Sequence, residues 1–214
     1  QDTFSKTVII DPVPTRIWGS YFGGNGDEFG WLKPDRFDNI FLHGYTSSTN
    51  NVATSGSHQP TIMGGYDAFI NKISKDGQKL WGTYYGGNYS DASGGLDFDN
   101  NDNIFVVADI SIPNPMYPGN TYYYFAQLAI LKFKPDGTLV FEKIFGGKSK
   151  DISYDLKYYN NNIYIIGETY SDDLATPGAF QNSITVGMQA GFVGKFKASD
   201  GSTEWISYIT GNSH

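Results

Sequence analysis

Eight residues recur four times along this chain of 214: IWGSYFGG at 17–24, LWGTYYGG at 80–87, VFEKIFGG at 140–147 and EWISYITG at 204–211. Their aromatic anchors Trp18, Trp81, Phe141 and Trp205 stand 63, 60 and 64 residues apart. A period this constant restricts the fold more than composition can. Each repeat must be one supersecondary unit that buries its apolar faces against its neighbours.

Other features keep the same phase. An acidic residue follows each Gly-Gly: Asp27, Asp91 and Asp151. Then come an Asx-rich turn and an apolar run: DNIFLHGYTS (38–47), DNIFVVADIS (102–111) and NNIYIIGETYS (161–171). After a long polar loop the chain reads AFINKI (68–73), LAILKF (128–133) and GFVGKF (191–196), with Lys72, Lys132 and Lys195 at matched places. The turns SKDG (74–77), KPDG (134–137) and KASDG (197–201) lead back to the octapeptide.

Each unit therefore holds four runs of strand length, rich in Ile, Val, Phe and Tyr and separated by Asx-Gly turns. In the second unit they are a (93–99), b (103–110), c (127–133) and d (138–145). The a–b and c–d links are short enough for tight hairpins, whereas the b–c link is long. Such a unit in tandem predicts an all-β fold of β-propeller blades. A β-sandwich has no reason to repeat at constant phase. The blades are expected at about 27–87, 91–147 and 151–211, preceded by an extra outer strand over Arg16–Tyr21. Residues 1–15 read as an N-terminal extension and 16–214 as one partial propeller domain. Strand d occurs once more often than the others, and about four to eight blades normally close a ring. The ring is therefore expected to be incomplete, its open ends covered by further blades, another copy or another protein.

The formal charge of −7 gives no basic face for nucleic acid. The chain has no cysteine, which excludes disulfides, thiolate nucleophiles and zinc–thiolate sites. No run approaches the roughly 18 apolar residues of a transmembrane helix.

Several residues invite a functional reading. Asp27, Asp91 and Asp151 would either ring the channel and hold a cation, or accept backbone N–H groups in the d–a turns. The segment DFDNNDN (97–103) opens like a calcium loop, but Asp102 stands where Gly is needed and Ala108 where Glu is needed. It reads as an Asx-rich turn. The three matched lysines are either ligand-facing cations or stems packed between blades. The histidines are His43, His58 and His214, and no Ser/His/Asp spacing, metal-binding His pair or phosphate-cradling Gly loop accompanies them. No catalytic residue, metal ligand or cofactor is assigned. The b–c loops, 48–66, 112–126 and 172–189, show no repeat and leave the same face as the d–a turns, where binding is expected. Tyr117, Tyr122, Tyr123 and Tyr124 in the second loop and His58 in the first read as partner-binding residues; the alternative is that the tyrosines cover a blade edge.

The segments YDAFINKISKDGQKLWGTYYGG (66–87), NIFLHGYTS (39–47) and ATPGAFQ (175–181) resemble the bacterial SBBP repeat, named for seven-bladed β-propellers. The resemblance spans about 16–211, and the second unit departs from it with Ala108 and Ile110 in place of the Gly and Thr of GYT and GET. It implies an exported bacterial protein, extracellular or at the cell surface, with the periplasm as alternative. The matching residues are framework, so they speak for fold rather than function. The expected function is a non-enzymatic binding or scaffold module whose loops engage a protein or surface glycan. The competing class is a polysaccharide hydrolase or lyase, its carboxylate pair in the loops or in blades not present here.

Overall fold

The structure, a computed structural model, describes residues 18–113 and 124–210. Short turns set its sheets. In the first, Asp35 accepts the backbone N–H groups of Phe37 and Asn39 at 2.8 and 2.9 Å, and Asp38 turns the chain at φ 63°. Asp99 does the same for Asn101 and Asn103, with Asp102 at φ 62°. The DFDNNDN segment is thus an Asx turn, as its missing Gly and Glu predict. At the other hairpin Gly77, Gly137 and Gly201 adopt φ 82°, 87° and 71°, and each turn is followed by a register shift that adds twist.

These turns join three antiparallel four-stranded meanders, and no helix occurs among the described residues. Blade 1 is β1 (Glu28–Pro34), β2 (Ile40–Thr46), β3 (Asp67–Ile73) and β4 (Lys79–Tyr85). Blade 2 is β5 (Ala92–Phe98), β6 (Ile104–Pro113), β7 (Tyr124–Phe133) and β8 (Leu139–Phe145). Blade 3 is β9 (Asp151–Tyr159), β10 (Asn162–Thr169), β11 (Ala190–Lys197) and β12 (Thr203–Ile209). The arrangement is all-β and blade-like, without a closed barrel.

Blade 2 is covered on both faces, so Ile104 to Ala108 are buried without alternation. Phe41, Ile70, Trp81 and Tyr85 of blade 1 pack on Ile104, Val106, Leu131 and Phe133 of blade 2. Phe105, Ile130, Phe141 and Phe145 of blade 2 pack in turn on Ile163, Ile165, Phe192 and Phe196 of blade 3.

The octapeptide makes these seams. The Trp81 indole N–H donates to the Pro135 carbonyl at 3.0 Å, across the seam. Its ring lies on the c–d turn so closely that a Cβ on Gly137 would sit 2.8 Å from it. Phe141 lies on the next turn in the same way, 3.0 Å from a Cβ on Gly201. Glycine is required at these turns by conformation and by space together. Lys72 and Lys132 cross the seams beside the rings. Their ammonium groups reach the carbonyls of Pro135 and Ala198 at 3.5 and 3.3 Å while lying over Phe41 and Phe105. These lysines are stems packed between blades rather than ligand-facing cations.

The first octapeptide differs from expectation. Its described residues form no strand, because no a, b and c strands stand beside them to supply a ladder. They nevertheless dock where a preceding blade's outer strand would. The Trp18 indole donates to Lys75 O at 2.8 Å, and Phe22 packs on Phe69 with ring centroids 5.1 Å apart. At the other end Trp205 is 37% exposed, against 8% for Trp81, and its indole N–H has no hydrogen bond among the described residues.

Replacing Trp81 by Ala is expected to cost about 3 kcal/mol, the usual range for a buried large aromatic. The same change at Trp205 should cost about 1 kcal/mol or less. Denaturant unfolding of the two variants checks this; equal losses would contradict it.

Candidate functional site

The d–a turns and the b–c loops share one end of the blades, and their geometry follows from a few carboxylates. Counted from the second glycine of each Gly-Gly pair, the matched acid is Glu28, Asp91 or Asp151. Asp151 accepts from the Gly147 N–H at 2.8 Å and from the hydroxyls of Thr169 and Ser171. Glu28 accepts from Gly24 N–H, Thr46 and Ser48, the corresponding groups of blade 1. Asp91 takes the N–H groups of Gly87 and Ser111 at 2.6 and 2.7 Å. Burial raises the Asp91 and Asp151 carboxyls above their ordinary range, and these hydrogen bonds pull them back.

Asp27 is not the third member of this set. It lies exposed one residue earlier, its N–H bonded to Ser47 Oγ at 2.9 Å. The structure therefore does not bring Asp27, Asp91 and Asp151 together, and no group of three acidic or histidine side chains converges on a metal position among the described residues. Asp91 and Asp151 act as acceptors that close the turns. Counting residues from Gly-Gly would have identified Glu28.

The loops of blades 1 and 3 depart from the reading that they do not repeat. Both fold back along their own outer strand. Thr54 and Thr176 donate their N–H groups to Gly82 O and Ile206 O, each at 2.9 Å. Gln59 and Gln181 accept from the N–H groups of Tyr84 and Tyr208, each at 3.0 Å. Their own N–H groups bond to Thr83 Oγ1 and Ser207 Oγ at 2.9 and 3.0 Å. The Tyr84 and Tyr208 phenols pin the loop starts on Ser48 O and Ser171 O at 2.8 and 2.6 Å. ATSGSHQ (53–59) and ATPGAFQ (175–181) are thus one structural motif that covers a strand edge. His58 belongs to it. It lies exposed at the outer rim near Tyr85 and Phe133, ring centroids 6.3 Å away in both cases.

Blade 2 breaks this pattern for a local reason. Where β4 and β12 carry Thr83–Tyr84 and Ser207–Tyr208, β8 carries Lys143–Ile144, so the hydroxyl and phenol that hold the loop are missing. Its b–c connection instead continues β6 and β7 as a hairpin arm, paired as far as Pro113 with Tyr124. Corresponding pairing in blade 1 stops at Thr46 with Asp67. Tyr124 opens β7 on this arm, while Tyr117, Tyr122 and Tyr123 lie outside the described residues.

Two polar contacts across the seams were not legible in the sequence. His43, buried at 5% exposure, faces Ser93 of blade 2 with Nδ1 and Oγ 2.8 Å apart, and burial lowers its pKa to about 4. Asp109 of blade 2 accepts from Ser153 of blade 3, from N–H at 2.9 Å and from Oγ at 2.5 Å. Burial raises the Asp109 carboxyl to about 6. Each contact joins residues far apart in sequence, with no motif to announce them.

The Asp109 shift has a definite sign. Folding raises its pKa, so the folded chain holds this proton more tightly than the unfolded chain. The resulting stability is fully present below about pH 4 and is lost as pH rises through about 6. Asp109→Asn keeps an oxygen for Ser153 without the charge. It should raise stability at pH 8 by on the order of 1 kcal/mol and flatten the decline between about pH 4 and 7. Urea unfolding across this range checks it; an unchanged slope would contradict it.

Compared with known proteins, the chain matches no family model and no curated protein.

Proposed function

We propose that this chain is a non-enzymatic binding or scaffold module of an exported bacterial protein, of the SBBP-like propeller type that its repeats resemble. It engages a protein or surface glycan through the loop face. The observation that carries this reading is the blade 2 arm. Two b–c loops are used up as edge cover, while the third extends beyond its neighbours as a two-stranded projection leading to the tyrosine-rich segment. The tyrosines of that segment, Tyr117 and Tyr122 to Tyr124, suit recognition, since tyrosine gives large amphipathic contact area at low entropic cost. His58 then supports the rim rather than the binding surface.

The forward face of blade 3 fits the same scaffold role. Trp205 there lacks the turn glycine that Trp18, Trp81 and Phe141 find in blades 1, 2 and 3, and the turn carbonyl that the Trp18 and Trp81 indoles find. Lys195, the counterpart of Lys72 and Lys132, turns back to Glu204 at 2.6 Å. A further blade-like unit would supply what this face lacks.

Simultaneous replacement of Tyr122, Tyr123 and Tyr124 by Ala should remove binding on a glycan array or to intact bacterial surfaces while leaving the melting temperature within about 2 °C. Reducing-sugar assays on the bound glycans should show no release. Binding that survives the triple replacement, or catalytic turnover, would reject the reading.

A further inference from the structure

A second site lies away from the arm, where the inner strands of all three blades meet. A groove of about 440 Å³ is lined by Trp31 of β1, Gly94 and Gly95 of β5, and Tyr154, Asp155 and Lys157 of β9. That volume falls within the range of small-molecule pockets. Its shape comes from the strands. Gly94 and Tyr154 are the extra residues of two matched bulges, at the shifts between Ser93 and Gly95 and between Ile166 and Gly167. A bulge re-aims a side chain. In blade 3 it presents Tyr154, 57% exposed, and in blade 2 it presents no side chain at all.

The glycines let β5 lie hard against β9. A Cβ on Gly94 would sit 2.1 Å from Ser153 Oγ, and one on Gly95 2.5 Å from the Leu156 nitrogen. The floor is therefore bare backbone. Trp31, 52% exposed, rises from blade 1 on one side and Tyr154 from blade 3 on the other. Their faces are large apolar surfaces left open to water although neighbouring rings at the seams are buried.

The polar groups are balanced. Lys33 pairs with Asp97 at 2.6 Å, and Lys157 with Asp155 at 3.3 Å. The His43 imidazole in the wall is neutral at physiological pH because of its burial. Donors and acceptors stand side by side, and both lysines are already paired with carboxylates. Tyr154 is steadied at the rim by its bond to Glu168.

We propose that this groove binds a neutral pyranose unit of a glycan. Trp31 and Tyr154 take the apolar C–H faces of the sugar, and the Lys157–Asp155 pair takes adjacent hydroxyls, each of which both donates and accepts. An anion would meet lysines already paired with carboxylates, and a metal ion would find no converging ligands among the described residues. The site is independent of the tyrosine arm and stands or falls separately from it.

The test is titration of the intact chain with neutral tetrasaccharides of glucose, mannose, galactose and N-acetylglucosamine, followed by saturation-transfer NMR and tryptophan fluorescence. Tetragalacturonate and adenosine serve as the anionic and flat-ring comparisons. At least one neutral sugar should bind with a Kd on the order of 1 mM or tighter, and Trp31→Ala should weaken it about tenfold or more. Tyr154→Ala, read the same way, should also weaken it and decides the question if Trp31→Ala fails to fold. The triple tyrosine variant of the arm should bind the sugar normally. The proposal is overturned if no neutral sugar binds below about 10 mM, if both variants bind as the parent does, or if tetragalacturonate or adenosine binds more tightly.

Discussion

Everything in this molecule depends on one contact: an aromatic ring from the outer strand of a blade laid on the glycine turn of the next. Trp18 on the turn of Gly77, Trp81 on Gly137 and Phe141 on Gly201 are three instances of it. The contact combines an aromatic face, buried in Trp81 and partly covered in Trp18 and Phe141, an indole hydrogen bond where Trp is present, and a left-handed turn that only glycine forms without strain. It explains why the octapeptide and the Asx-Gly turn recur at the same phase. One supplies the ring and the other the seat, always from adjacent repeats. A single blade cannot satisfy both halves, so the stable object is a stack.

The stack leaves its mark on where polar groups go. Carboxylates close the turns: Asp35 and Asp99 at the a–b hairpins, Glu28, Asp91 and Asp151 at the d–a turns. Lys72 and Lys132, which the sequence offers as ligand-facing cations, are stretched across seams. What remains for recognition is where the repeat is broken. Blade 2 gives up the hydroxyl and phenol that fold its loop back, and extends an arm. Blade 1 puts Trp31 where the inner strand of blade 2 has Gly95 and that of blade 3 has Asp155, each paired with the matched residue of the next strand, His43, Val107 or Ile166.

Much of this was written in the sequence and some was not. The blades are legible because turn chemistry and strand composition repeat together, and β5 to β8 fall close to the four runs of the second unit. The matched acid of blade 1 was misjudged by one residue, since Asp27 and Glu28 are adjacent and only the distance from Gly-Gly distinguishes them. The folded-back loops hid because ATSGSHQ and ATPGAFQ lie inside loops that otherwise differ, although their Ala, Thr, Gly and Gln fall in register and Thr and Gln make the bonds. The first octapeptide reads as an outer strand because it repeats the other three, but a strand needs a ladder partner and Trp18 to Phe22 have none. The contacts of His43 with Ser93 and of Asp109 with Ser153 arise only when different blades meet, and the groove at Trp31 and Tyr154 depends on bulges that leave no compositional trace.

Stacking on both faces should make blade 2 the most stable part of the molecule, since the seams with blades 1 and 3 both converge on it. Native-state amide hydrogen exchange, resolved strand by strand, reads this directly. The amides of β6 and β7 should exchange last, by unfolding of the whole stack, with those of β1 and β12 opening earlier at the free faces. Uniform protection across the three sheets, or slower exchange in β1 or β12 than in β6, would show that the ring-on-turn seams do not hold the fold together.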